Sequence, residues 1–229
     1  ILSTPDAPIG IDDIVECDSG QTLTASATTG SGTEFITWYD AATEGNLVPD
    51  PSLTGVGTIT YYAEATDDVT GCSSLTRSAV TLTILSTPDA PIGIDDIVEC
   101  ETIALQTLLA SAIVLPGESL EWYDSLTGGS VVADPSLSSV GSITYYAESI
   151  NDTTGCISLS RTPVTLTIEV APLSPVSNGD VAECETIASQ TLLASATVPE
   201  GEFITWYDSL TGGSVVADPS LSSVGSTVS

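Results

Sequence analysis

The strongest constraint on this chain is a repeat of about 84 residues. The stretch ILSTPDAPIGIDDIVEC occurs at 1–17 and again, letter for letter, at 84–100, and WYDSLTGGSVVADPSLSSVGS fills both 122–142 and 206–226. Self-similarity at a fixed period shows that one structural unit is used several times. The period exceeds the 20–50 residues of solenoid repeats, so each unit is expected to be a small domain with its own core. The predicted units are residues 1–83, 84–167 and a truncated third at 168–229.

Within a unit, the apolar residues alternate as they do in half-buried β-strands. Four segments carry this pattern in the first unit, namely QTLTASA (21–27), FITWYD (35–40), ITYYAEAT (59–66) and AVTLTI (79–84). Gly- and Asp-rich turns separate them, and no stretch has a helical period. Short strands at regular spacing predict an all-β sandwich. The aromatic residues expected in its core are Trp38, Tyr61, Trp122, Tyr145 and Trp206.

The charge of the chain excludes several classes of partner. It has 31 acidic residues against two basic ones, Arg77 and Arg161, and a formal net charge of −29. Nucleic-acid binding requires basic patches, so we predict no nucleic-acid partner and no anionic membrane surface. No run of 18 apolar residues is present, and we expect no membrane insertion in this segment. Each arginine follows the second cysteine of its unit and is expected to form a structural ion pair with a nearby carboxylate.

The residue inventory also argues against an enzyme. There is no His, the commonest general base, and no Lys for Schiff-base chemistry. Adjacent carboxylates such as Asp12 and Asp13 are interpreted as exposed turn residues. We therefore predict no catalytic residues and no required cofactor.

The order of motifs in a unit resembles a known type of repeat. A central Trp in ITWYD, a TYYAE strand with Tyr61 placed like the residue of a tyrosine corner, and a closing VTLTI strand resemble the immunoglobulin-like sandwich. With cysteines in VEC before the second strand and in TGC after the TYYAE strand, the pattern is similar to the repeats of very large Bacteroidota cell-surface proteins. These include the SprB-like gliding adhesins exported by type IX secretion.

The resemblance implies tandem immunoglobulin-like domains arranged end to end as a rod. Its implied function is a structural stalk of an acidic cell-surface adhesin or filament, extracellular and load-bearing, whose partners are neighbouring repeats. The alternative is that the repeats themselves bind carbohydrate or protein, for example surface polysaccharide. Because the chain opens and closes inside a repeat, we expect it to be a piece of something longer.

The five cysteines are expected to form disulfides, because exported repeats are oxidised and no His or CxxC pattern suggests zinc. Convention pairs them within a unit, as Cys17 with Cys72 and Cys100 with Cys156. In an immunoglobulin-like sandwich, however, those positions lie at opposite ends, roughly 23 Å apart. Bonding between units would instead pair Cys17 with Cys156 and leave Cys72, Cys100 and Cys184 to pair outside the segment. Both schemes remain open at this point, with geometry slightly favouring the second.

Two further kinds of site are weaker predictions. Asp89, Asp95 and Asp96 gather at the junction of the first two units and could hold Ca²⁺, which prefers several carboxylate oxygens. Ser125 and Ser209 follow Asp and precede Leu in an exposed turn, a context similar to the O-glycosylation motif of Bacteroidota.

Overall fold

The computed structural model describes residues 3–10, 12–30, 32–102, 105–184 and 190–222. It divides into two compact units, Ile1–Glu99 with Ala104–Ile168, and Cys100–Ile103 with Glu169–Ser229. Within the described ranges every regular element is a β-strand, which confirms the predicted all-β class. No helix in the described part is long and apolar enough to cross a membrane.

The first repeat contains eight strands. Their bounds are β1 (Ile9–Gly10), β2 (Ile14–Cys17), β3 (Thr22–Thr24), β4 (Ala27–Thr28), β5 (Glu34–Tyr39), β6 (Ser52–Thr54), β7 (Gly57–Asp67) and β8 (Ser78–Leu85). One layer is the four-stranded sheet β2-β8-β7-β5, and the other is formed by the pairs β1-β4 and β3-β6. In the first layer β2 runs parallel to β8, while the other pairs are antiparallel.

The second repeat has the same order of elements. Its strands are β9 (Ile92–Gly93), β10 (Ile97–Cys100), β11 (Leu108–Leu109), β12 (Ala112–Ile113), β13 (Glu118–Tyr123), β14 (Ser136–Leu137), β15 (Gly141–Asn151) and β16 (Thr162–Glu169). They form the sheet β10-β16-β15-β13 and the pairs β12-β9 and β11-β14. The match to the first repeat, strand for strand, is what an 84-residue period predicts.

The second compact unit contains shorter strands. They are β17 (Val176–Ser177), β18 (Leu192–Leu193), β19 (Ala196–Thr197), β20 (Trp206–Tyr207), β21 (Val215–Val216) and β22 (Ser220–Leu221). They pair as β17-β19, β18-β22 and β20-β21. Trp206 is half-buried in β20.

The period-2 pattern places the apolar residues of β7 and β8 between the layers. Tyr61, Ala63 and Ala65 alternate with outward residues, and Val80, Leu82 and Ile84 do the same on the neighbouring strand. Trp38 is partly buried and packs against this cluster, whereas its counterpart Trp122 is itself buried, together with Tyr145. The predicted strand at 21–27 is shorter than expected, because the chain pairs with β6 through β3 and then changes partner to β1 through β4.

Each core tyrosine also closes the sandwich through its hydroxyl. The Tyr61 hydroxyl donates to the Ser52 carbonyl at 2.8 Å, and that of Tyr145 donates to the Ser136 carbonyl at 2.9 Å. The acceptor lies nine residues upstream in both cases, the backward bond that defines a tyrosine corner. It ties β7 or β15 to the opposite layer.

We expect Tyr61→Phe to lower the free energy of unfolding by about 1–3 kcal/mol, because the Ser52 carbonyl loses its donor while the ring stays in the core. Denaturant unfolding followed by tryptophan fluorescence measures this. The matched control is Tyr62→Phe on the outer face of the same strand. An equal loss in both variants would contradict a specific role for the inward hydroxyl.

Candidate functional site: the disulfide joint between repeats

Cys17 and Cys156 form a disulfide between the first and the second repeat. Their Cα atoms are 5.6 Å apart, and the residues are 139 positions apart in sequence. In the chain-entropy model, a link of that span lowers the conformational entropy of the unfolded chain and so stabilises the folded state by about 5 kcal/mol. The bond is therefore both a connection between repeats and a large restriction on the unfolded state.

The position of Cys17 follows from the parallel pairing of β2 with β8. Cys17 is opposite Leu85, the last residue of β8, and the next amide, of Asp18, donates to the Leu85 carbonyl at 2.8 Å. Cys17 is therefore carried to the end of the repeat where the chain leaves for the next one, although it is near the start of the repeat in sequence.

Cys156 is fully buried and lies just after the turn that follows β15. The side-chain oxygen of Asn151 accepts hydrogen bonds from the Thr153 and Thr154 amides, at 3.0 and 2.9 Å. The Asn151 amide in turn donates to the Cys156 carbonyl at 2.8 Å. These bonds fix the turn that carries Cys156.

The alternative pairing within a repeat does not occur in the structure. Cys72 and Cys100 are free, as is Cys184. The reason is geometric. Cys17 lies beside the end of β8, whereas Cys72 lies before its start at Ser78, and the eight residues of β8 separate these ends by roughly 23 Å. A disulfide requires Cα atoms within about 7 Å.

Beside the disulfide is an open cleft of about 410 Å³. Cys17, Asp18, Ser19 and Thr87 line it from the first repeat, and Leu126–Gly128, Glu148 and Ile157–Arg161 line it from the second. Its walls mix hydroxyl, carboxylate and apolar groups.

Arg161, at the edge of this cleft, is held by four groups. Its Nε donates to Glu148 at 3.0 Å, and Nη1 donates to the carbonyls of Ser125 and Gly128 at 2.8 and 2.6 Å. The guanidinium also lies 3.3 Å from the ring centroid of Tyr123, an arrangement that combines stacking with cation–π attraction. The side chains of Arg161 and Glu148 are only 11% and 6% exposed, so this pair is much better shielded than an exposed surface ion pair.

The first repeat has the same arrangement around Arg77. Its partners are Glu64 at 3.0 Å, the Ala41 and Glu44 carbonyls and, at 3.3 Å from the ring centroid, Tyr39. The predicted ion pairs of both arginines are thus present. The stacking on Tyr39 and Tyr123 was missed, although each ring follows a core tryptophan and so alternation along the strand directs it to the outer face. The Asp40 carboxylate fixes the same turn, and hydrogen bonds from Asn46 lower its pKa.

The calcium site predicted at the three junction carboxylates stays a prediction. No group of three or more His, Cys, Asp or Glu residues among the described positions is placed to hold a metal ion. Asp89, Asp95 and Asp96 are all exposed. Asp96 accepts a 2.7 Å hydrogen bond from the backbone amide of Thr165 in β16. Asp13 accepts the equivalent bond from the Thr81 amide in β8 at 2.8 Å. Each of these two carboxylates thus holds the backbone of a strand.

The two glycosylation candidates differ in exposure. Ser209 is exposed, whereas Ser125 is half-buried and uses its carbonyl to hold Arg161. Both remain predictions.

Comparison with known proteins agrees with this geometry. The family model described as Ig-like domain, CHU_C associated, matches residues 5–85 and again residues 88–169. The chain belongs to this family of immunoglobulin-like domains. Domains of this kind are generally structural or adhesive modules and not enzymes. No curated protein matches the chain.

The chain is similar to several solved structures at low identity. The N-terminal four Ig domains of Dscam1 isoform 9.44 are 16% identical, with 94% of this chain and 64% of that chain covered and a TM-score of 0.28. The fibronectin(III)-like modules of CbhA from Clostridium thermocellum are 15% identical, with 73% and 94% covered and a TM-score of 0.35. Domains 1–5 of Sidekick-1 are 12% identical, with 83% and 46% covered and a TM-score of 0.27. The chain thus spans less than two thirds of the Dscam1 and Sidekick-1 structures.

The arginine cluster of the second repeat gives a pH prediction. A hydrogen bond to Glu121, at 2.7 Å, together with burial and the nearby Glu148, raises the pKa of Tyr123 from 10.0 to about 12. Because the folded state favours the neutral phenol, this stabilisation is complete below pH 10 and is lost as the pH rises through about 12. Absorbance titration should show Glu121→Gln moving the pKa of Tyr123 back toward 10.0, and an unchanged titration would contradict the assignment.

Proposed function

We propose that this chain is a stalk segment of a long, acidic, extracellular adhesin or filament of the cell surface, built from tandem immunoglobulin-like domains. The observation that carries the proposal is the Cys17–Cys156 bond between consecutive repeats. A binding module has no need of a covalent link to its neighbour. A load-bearing stalk gains a joint that does not open when a single domain loosens.

The cysteine positions extend this scheme to further repeats. Cys72 is equivalent to Cys156, and Cys100 and Cys184 are equivalent to Cys17. They would pair with the corresponding cysteines of neighbouring repeats and close every joint in the same way. Disulfides of this kind persist in oxidising compartments, which supports an extracellular location.

The charge supports the same function. Each arginine forms an ion pair with a carboxylate of its own repeat. The surface of either described sandwich therefore has no accessible basic side chain to offset the net charge of −29. Like charges repel within the Debye length of about 8 Å at physiological salt, which disfavours collapse and bundling. The resemblance to gliding adhesins supplies the further proposal that such a stalk serves surface adhesion or gliding motility after type IX secretion.

The joint should be rigid only while its disulfide is intact. We expect the distance distribution between labels on the first two repeats, attached through non-cysteine chemistry, to be narrow in the oxidised chain. It should broaden in Cys17→Ser and stay narrow in the matched control Cys72→Ser, whose thiol is free in the structure. Equal breadth in all three would argue against a locked joint.

The alternative function is an adhesive module, with the cleft beside the disulfide as the place for a ligand. A glycan array probed with the full oxidised chain separates the two functions. A stalk gives no specific binding, whereas saturable binding that is lost on substitution of cleft residues such as Leu159 would replace the stalk by an adhesive module.

A further inference from the structure

We propose that the cysteines of tandem repeats form two parallel covalent load paths, and that strands β3–β7 of the first repeat and β11–β15 of the second lie outside both. This inference rests on the proposed stalk function and specifies how such a stalk transmits force. It starts from the one joint that the structure contains and uses the equivalence of the free cysteines to the bonded ones.

The first path crosses the Cys17–Cys156 bond. Tension that enters the chain before Cys17 passes through the disulfide and leaves after Cys156, because the bond is a shorter covalent route than the chain between them. Residues 18–155 therefore carry no tension from this path while the bond is intact. Most of both sandwiches lies in this unloaded segment.

The loop at Cys72 already has the shape of the bonded loop at Cys156. The Asp67 amide donates to the Cys72 carbonyl at 3.0 Å, where the Asn151 amide donates to the Cys156 carbonyl at 2.8 Å. The Thr70 hydroxyl accepts from the Cys72 amide at 3.4 Å, and that of Thr154 accepts from the Cys156 amide at 3.3 Å. The loop at Cys156 is disulfide-bonded and the loop at Cys72 is not, yet the two loops have the same backbone hydrogen bonds. Cys72 is therefore half of a preformed joint that needs no reorganisation on bonding.

Cys100 provides the other half of such a joint. It ends β10, which lies beside β16 as β2 lies beside β8. The next amide, of Glu101, donates to the Glu169 carbonyl at 2.7 Å, which corresponds to the 2.8 Å bond from Asp18 to Leu85. Cys100 is exposed and free. It must be both if it is to bond the Cys156-type loop of another repeat. The occupant of the Cys72 loop is accordingly a Cys17-type end of a second repeat of this kind.

The second path then runs from Cys72 through β8 and the linker to Cys100. The corresponding segment of the first path runs from Cys156 through β16 toward Cys184. Each loaded segment contains one strand that is central in its sheet, with β7 and β2 on the two sides of β8 and β15 and β10 on the two sides of β16. Tension along such a strand shears the hydrogen bonds on both sides together, because the bonds lie across the strand direction. The paths thus load the central strand of each sandwich together with the short strands that lead to the next Cys17-type cysteine, and they leave β3–β7 and β11–β15 as unloaded cross-connections.

Stretching the full chain from both ends with magnetic tweezers tests the first path. In the oxidised chain, unfolding should release no length from residues 18–155. Adding a reductant under load should then release about 480 Å of contour, from the 139 steps between the cysteines at roughly 3.5 Å each. Cys17→Ser should release that length without reductant, and Cys72→Ser should behave as the unmodified chain. Release of length from residues 18–155 in the oxidised chain would overturn the proposal, even if the label distances still show a stalk with a rigid joint.

Mixed oxidation of two variants tests the second path. Cys100→Ser/Cys184→Ser leaves only the Cys72 thiol free, and Cys72→Ser/Cys184→Ser leaves only the Cys100 thiol free, with Cys17–Cys156 retained in both. Preformed complementary halves should give more Cys72–Cys100 heterodimer than random thiol pairing, and the excess should vanish when the chains are oxidised in denaturant. A random mixture of dimers under native conditions would refute the second path.

Discussion

The structure depends on one pairing, the parallel alignment of β2 with β8. Because the two strands run in the same direction, a cysteine near the start of a repeat in sequence lies at its far end in space, beside Leu85. An antiparallel pairing would have carried Cys17 toward Cys72 and allowed an ordinary bond within one sandwich. The direction of a four-residue strand thus decides whether the cysteines close a domain or join two of them.

The other interactions of each repeat support this arrangement. The inward alternation of β7 and β8 provides a core that holds β8 in the middle of its sheet, and the tyrosine hydroxyls tie that sheet to the opposite layer. The arginine cluster fixes the turn after β5 or β13 against β7 or β15. These features recur at equivalent positions in both repeats, so a joint that fits one pair of repeats has the geometry to fit the next.

Much of this could be predicted from the sequence, because the relevant signals are local or periodic. Alternation along TYYAEA and VTLTI placed Tyr61 and Leu82 in a core, and the repeat predicted that the second unit would follow the first, although only four of the eight strands in a unit were expected. The sequence left two candidate disulfide partners for Cys17, namely Cys72 and Cys156. It could not choose between them, because the direction in which β2 pairs depends on the whole sheet and cannot be deduced from the four residues of the strand. The calcium prediction at Asp89, Asp95 and Asp96 rests on closeness in sequence, which does not by itself make side chains converge. Asp96 instead bonds a backbone amide of β16.

The burial of the two arginines has a consequence for a surface that carries many such chains. Each of the first two repeats has one cationic side chain, and it is packed against Tyr39 or Tyr123 of the same repeat. A repeat therefore cannot neutralise the carboxylates of a neighbouring chain. Charge balance then falls to mobile cations from the medium, and their osmotic pressure swells the layer outward. A dense coat of these chains would therefore behave as an anionic polyelectrolyte brush, whose thickness responds to ionic strength although no domain changes its fold.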